Sequence, residues 1–163
     1  MRHVLAVDDE PRTRDLIRSG LLDHGGYRVS LVANAEDAIR ILINDPPAAA
    51  LIDALLPRIS GITLASHAVS LGIPSLLITG EAEIRDVLED VRAPVLWKPF
   101  QTDALIASIN TLVAQASQRR VQLDRALRRL MHNRGELLAQ INEARQTVAR
   151  VRADRAAPDD LAE

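Results

Sequence analysis

Ala48-Ala49-Ala50-Leu51-Ile52-Asp53-Ala54-Leu55-Leu56-Pro57 is the stretch whose reading decides the fold. It is bounded by Pro46-Pro47 before it and by Pro57 and Gly61 after it. A continuous apolar run of this length suits a parallel strand buried on both faces. The run delivers one carboxylate, Asp53, to its end. An ionised group among apolar residues is costly unless something pairs with it. In an open α/β sheet the carboxyl ends of the strands line a solvent crevice where ligands bind, so a carboxylate there can meet water, metal or substrate. The competing reading is a helix N-cap aspartate, since Asp favours that position.

Outward from this strand, the composition sets bounds. A chain of 163 residues, 47% of them hydrophobic, has room for one ordinary domain with its own core and an appendage too small to bury much alone. The lack of cysteine excludes disulfides and thiolate metal sites and is compatible with a reducing compartment. No stretch approaches a membrane-spanning length, and Met1-Arg2-His3 leads into a short strand rather than a signal peptide, so a cytoplasmic location is expected. Charge is unevenly spread: residues 1–113 hold 10 Lys/Arg against 15 Asp/Glu, whereas residues 114–163 hold 10 against 7. An acidic part followed by a basic part predicts two units with different roles.

Upstream of the central run, His3 to Val7 reads as a buried strand ending in Asp8-Asp9-Glu10. Pro11 follows at the first turn of a helix, where its missing N–H costs nothing. Leu16, Ile17, Leu21 and Leu22 form the expected apolar stripe of that helix, and Gly25-Gly26 stops it. Tyr27 to Val32 is short, alternating and edge-like. Asn34 caps a second helix carrying Ala38, Ile39 and Leu42. Downstream, Ser60 or Gly61 opens a third helix through Leu64, Ala68 and Leu71, with Gly72 as its C-cap. Ser75 to Thr79 is a fourth buried strand, Ile84, Val87, Leu88 and Val91 give a short helix, and Ala93 to Trp97 makes a fifth strand ending in Lys98-Pro99-Phe100. Five alternations of strand and helix predict an α/β fold: a parallel sheet with helices on both faces and right-handed crossovers.

In such a sheet Asp8, Asp9, Asp53, Thr79 and Lys98 all project at one edge. Three clustered carboxylates repel one another unless a divalent cation holds them ionised. Oxygen-only ligands specify a hard ion such as magnesium. Magnesium keeps several waters and prefers to bind a phosphate as well. Lys98 offers that phosphate a compact positive charge, and Thr79 offers a hydroxyl.

Val7-Asp8-Asp9-Glu10-Pro11, Asp53 with Leu56-Pro57 and Ser60-Gly61, Thr79-Gly80, and Lys98-Pro99-Phe100 together resemble the receiver domain of two-component response regulators. The resemblance spans residues 1 to 115 and rests on four motifs in order. It implies a doubly wound, flavodoxin-like sheet of order 2-1-3-4-5. It further implies that Asp53 accepts a phosphoryl group from a sensor histidine kinase or histidine phosphotransfer protein. Asp9, Asp53 and the Leu55 carbonyl would ligate Mg2+, with Asp8 acting through bound water, and Lys98 and Thr79 would contact the phosphoryl oxygens. Leu55 and Glu81, two residues beyond Asp53 and Thr79, would flank the approach of hydrolytic water. Such a protein is a signalling phosphoacceptor rather than an enzyme, with only autophosphorylation and autodephosphorylation chemistry of its own. The chain departs from the family in three ways. Val95 stands where a switch aromatic is common, the span from Thr79 to Lys98 is short, and the residues after 115 read as a helix rather than as a DNA-binding effector of the usual kind. Trp97 reads as packing rather than signalling.

Thr102 caps the last helix, whose apolar positions Leu105, Ile106, Ile109, Leu112 and Val113 continue beyond the point where a compact domain should end. Steps of three and four residues lead through Leu123, Leu127, Leu130, Leu137, Ile141, Val148 and Val151, with Arg120 and Arg134 at seam positions. The expected organisation is a receiver over 1–115, a coiled-coil-like helical extension over 116–157 and a disordered tail over 158–163. A heptad seam argues for a coiled coil, and a parallel pair would make a homodimer. The rival is a hairpin folding at Asn133-Arg134-Gly135; the heptad phase survives across Gly135 and favours the continuous helix. The arginines of 119–129 suggest a nucleic-acid or transcriptional regulator as an alternative. No aromatic residues or reading motif accompany them, so a solvated helix face is the preferred reading and nucleic acid the disfavoured partner. A second alternative, phosphotransfer through His132, lacks a surrounding motif.

Overall fold

The computed structural model describes residues 1–23, 26–81 and 93–156, the side chains of 151–156 excepted. The expected short helix through Ile84, Val87, Leu88 and Val91 and the expected tail over 158–163 lie outside the described residues. The elements are β1 (Arg2–Val7), α1 (Pro11–Asp23), β2 (Tyr27–Val32), α2 (Ala35–Asn44), β3 (Ala49–Asp53), α3 (Gly61–Ser70), β4 (Ser75–Thr79), β5 (Val95–Trp97) and α4 (Thr102–Ala156).

The strands form one sheet in the order β2-β1-β3-β4-β5. Every pairing is parallel, with Val4 opposite Ala49 and Asp53 opposite Ile78. The apolar run around Asp53 is therefore the central strand. β3 and β4 are buried at every position, as a strand covered on both faces must be. Because side chains alternate along a strand, β1 feeds two cores at once. Leu5 and Val7 join Leu42, Leu64 and Leu77 on the face covered by α2 and α3. Val4 and Ala6 join Ile17, Leu21, Leu105 and Ile109 on the face covered by α1 and α4. Each fully buried Leu or Ile contributes roughly 2 kcal/mol through apolar surface removed from water.

Helix ends follow local chemistry. The Asn34 side chain accepts a hydrogen bond from the Asp37 N–H at 2.8 Å and caps α2, as its position predicts. The Ser60 side chain accepts from the Ile62 N–H and caps α3. Leu71 rather than Gly72 is the C-cap there; Gly72 follows it with φ +78°, the left-handed conformation that glycine adopts without steric cost. Thr102 is the first residue inside α4, and β5 starts at Val95, two residues later than the apolar run suggests.

The stripe of α1 departs from expectation. Its buried positions are Thr13, Ile17, Gly20 and Leu21, while Leu16 and Leu22 are 42% and 49% exposed. A helix can bury only one arc, and the arc containing Ile17 and Leu21 extends to residues three and four away, Thr13 and Gly20, whatever their hydropathy.

The chain divides into two compact units, Met1–Ser117 and Gln118–Glu163. α4 is a single helix with no break at Asn133-Arg134-Gly135. Its early residues Leu105, Ile109, Leu112 and Val113 are buried, whereas every side chain from Ser117 to Arg150 is exposed within the chain. Among the described residues no helix is long and apolar enough to cross a membrane.

Candidate functional site at the carboxyl edge of the sheet

Parallel pairing sends the ends of β1, β3, β4 and β5 to one edge. Asp53 closes β3, Asp8 and Asp9 follow β1, Thr79 closes β4 and Lys98 follows β5. Carboxylate oxygens of Asp8, Asp9 and Asp53 lie within 4.8 Å of one another. Asp8 is wholly buried, Asp53 nearly so, and Asp9 is exposed.

The Lys98 ammonium joins the two buried acids. Its Nζ donates to Asp53 Oδ2 at 2.6 Å and to Asp8 Oδ2 at 2.9 Å. The second oxygen of each carboxylate is also engaged: the Glu10 N–H donates to Asp8 Oδ1 and the Leu55 N–H to Asp53 Oδ1, both at 2.9 Å. These are charge-assisted bonds that fix the rotamers of both acids. Burial pushes the Asp8 carboxyl above the usual carboxylate range, against the opposing pull of Lys98. Burial works against the Lys98 ammonium, but its bonds to Asp53 and Asp8 outweigh that cost and hold the lysine above its ordinary value.

The loop after β3 is shaped by Gly61. A Cβ at that position would lie 1.7 Å from the Asp53 carbonyl oxygen, so only glycine lets the start of α3 approach the acidic strand end. The Gly61 N–H donates to the Ala54 carbonyl at 3.1 Å and ties the loop down. On the neighbouring strands, the Lys98 N–H donates to the Thr79 carbonyl at 2.7 Å, which seats the lysine beside the end of β4. The buried Thr79 hydroxyl accepts from the Glu81 N–H at 3.1 Å. Leu55, 49% exposed, and Glu81, also exposed, thus stand at the rim, each holding a site residue through its backbone.

The donor set suits magnesium. Three carboxylates and one ammonium leave two formal negative charges, two of the acids are buried, and the candidate ligating atoms are all oxygens. The Lys98 side chain thus reaches the strand edge through the two carboxylates. One contributor was not legible in sequence. Arg14, on the first turns of α1, donates from Nη1 to the Asp8 carbonyl at 2.6 Å and braces the strand end; an arginine on a helix surface gives no sign of such a contact. Trp97 is half-buried against the core beneath α2 and α3, as a packing residue would be. His132 is exposed and lies 3.3 Å from Glu136 one turn on, and Arg128 pairs with Asp124 at 3.0 Å. The first is a one-turn contact and the second a local ion pair, both on a solvated helix face.

Residues 4–110 match the family described as the response regulator receiver domain. The response regulator MprA of Mycobacterium leprae is 30% identical over 115 residues, covering 68% of this chain and 50% of that protein. The response regulator Rre1 of a Synechocystis species is 30% identical over 119 residues, covering 69% and 52%. This chain therefore spans about half the length of these relatives. Among solved structures, NtrX from Brucella abortus superposes with a TM-score of 0.69 at 25% identity, covering 76% of this chain and 29% of that one. A CheY-like receiver domain protein from Methanospirillum hungatei shares the fold with a TM-score of 0.66 at 24% identity, covering 73% and 98%. With the strand order, the acidic cluster and this match in agreement, the chain belongs to the response regulator receiver domain family of two-component systems.

Proposed function

We propose that Asp53 is the phosphoacceptor, that a sensor histidine kinase or histidine phosphotransfer protein is the donor, and that output runs through the exposed part of α4 by dimerisation or partner docking. The observation that carries the first part is Lys98 bridging Asp8 and Asp53 at the sheet edge. A carboxylate fixed by a backbone N–H and an ammonium is held in one orientation at the edge where a donor would approach. An Asp53 oxygen bonds to phosphorus as the phosphorus–nitrogen bond of the donor breaks. The imidazole keeps the electron pair and takes up a proton. Lys98 then has a phosphoryl oxygen to bind in place of the Asp53 carboxylate charge, and Thr79 turns its hydroxyl toward the same group. Bound magnesium would offset the charge on the transferring oxygens; Asp8, Asp9, Asp53 and the Leu55 carbonyl are the groups that would hold it. The reaction leaves a modified protein rather than a released product, so the role is that of a phosphoacceptor and not an enzyme.

Support for the second part is the exposed apolar series on α4. Leu123, Leu127, Leu130, Leu137 and Ile141 are 42% to 65% exposed within the chain. Phosphodonor treatment with magnesium, followed by intact-mass measurement and circular dichroism, tests the assignment. Wild type should gain one phosphoryl group, and Asp53→Asn should gain none while keeping its fold, because the substitution relieves repulsion among the acids. Labelling of Asp53→Asn at wild-type level would overturn it.

A further inference from the structure

α4 beyond Ser117 is a long helix whose described side chains are exposed up to Arg150, and most helical stability comes from packing an apolar face. In heptad terms Arg120, Leu127, Arg134, Ile141 and Val148 occupy one seam position, a, and Leu123, Leu130, Leu137 and Ala144 the other, d. Asp124, Met131, Leu138 and Arg145 recur at the flanking e position. Met131 and Leu138 are 74% and 55% exposed, so the flank is apolar at its middle and charged at its ends.

A parallel, in-register pair sets each seam residue against its own copy. Arg120 then faces Arg120 and Arg134 faces Arg134. Residues 119–134 hold six arginines and one acid, so the most basic stretch would lie along itself. An antiparallel pair sets each a residue against a d residue of the other copy and removes both arginine–arginine layers. It also brings the flanking e positions of the two copies together.

We infer that two copies of α4 pair antiparallel about a twofold axis at Gly135 and Glu136, with Leu130 on Ile141, Leu127 on Ala144 and Leu123 on Val148 of the other copy. This rests on the self-association reading of α4 given above. In this register Arg134 lies across Leu137, its stem covering the leucine while the guanidinium reaches water. Asp124 meets Arg145 and Met131 meets Leu138. Sliding the pair by one heptad destroys this match: one direction sets Asp124 on Leu138, the other sets Met131 on Arg145. Asp124 already accepts from Arg128 of its own helix through Oδ2. A carboxylate has a second oxygen with which to accept from Arg145. The surface is thus self-complementary in apolar layers and in charge, as a twofold contact requires.

The test uses the 163-residue chain, which has no cysteine of its own. Leu127→Cys and Ala144→Cys are oxidised separately and then as a mixture. The expected result is a cross-linked dimer in the mixture and little in either variant alone. Charge reversal gives an independent readout by sedimentation. Asp124→Arg should weaken the dimer by about tenfold, since two symmetry-related contacts turn repulsive, and adding Arg145→Asp should restore it. Efficient cross-linking of each single variant with itself, or failure of Arg145→Asp to rescue, overturns the antiparallel register while leaving self-association intact. A wild-type chain that sediments as a monomer at every concentration overturns self-association and the register with it.

Discussion

Leu55 and Glu81 reach the site by the same device, each giving its backbone N–H to the side chain two residues before it, Asp53 in one case and Thr79 in the other. Their own side chains stand at the exposed rim. Hydrolysis of an acyl phosphate needs a water opposite the leaving carboxylate oxygen. Leucine cannot hydrogen-bond that water and excludes it from the flank it covers, and the Glu81 carboxylate repels the phosphoryl charge. The phosphorylated state should therefore be long-lived, and Leu55→Asn should shorten it by several-fold. First-order decay in magnesium without a kinase measures this, and equal rates in variant and wild type would defeat the flanking argument. Gly61 acts on the same loop through space rather than chemistry. A methyl group there collides with the Asp53 carbonyl, so Gly61→Ala should cost about 2 kcal/mol or more in urea unfolding. It should also impair phosphorylation by displacing Asp53. A variant as stable as wild type would mean that the loop gives way freely.

Elements divide according to how much of their environment is local. Asn34 and Ser60 cap their helices through atoms two or three residues away, so short-range pattern is enough to find them. The site acids and Lys98 were legible too, because a charge closing a buried apolar run is costly unless paired, and parallel pairing sends such strand ends to one edge. The buried arc of α1 was not. Thr13 and Gly20 share the arc of Ile17 and Leu21, and Gly20 lies against Thr102 at the start of α4, a fact of tertiary packing that hydropathy does not encode. α4 combines both cases. Leu105 to Val113 are placed by the receiver core, while the seam beyond Ser117 is regular in sequence but exposed among the described residues. Truncation after Ala116 removes the exposed seam and keeps the buried part of the helix. The truncated chain should sediment as a monomer and the full chain as a dimer. A full chain that stays monomeric at high concentration would refute the reading of α4 as an association surface.

At the scale of the whole molecule, the two compact units face different stabilising equilibria. The unit Met1–Ser117 holds the carboxylate cluster, whose two excess negative charges a divalent cation would offset. The unit Gln118–Glu163 has its described side chains exposed up to Arg150, and on the association reading it would gain stability by meeting another chain. A ligand that binds only the folded state raises its stability by mass action, and association does so in proportion to the logarithm of chain concentration. Magnesium at about a hundredfold excess over its dissociation constant should stabilise the first unit by about 2.7 kcal/mol, or about 10 °C in melting midpoint for a unit of this size. Dilution should leave that midpoint in place and lower the helical transition of the second unit. Asp9→Asn should abolish most of the magnesium shift without touching the response to dilution, because Asp9 is exposed and belongs to the cluster alone. Thermal scans followed by circular dichroism, with magnesium or chelator and at several chain concentrations, separate the two responses. If both ligand and dilution move a single transition, α4 makes the chain unfold as one cooperative body, and phosphorylation at Asp53 would be linked to association through that body. If magnesium moves neither transition, the carboxylate cluster is not the metal site proposed for it.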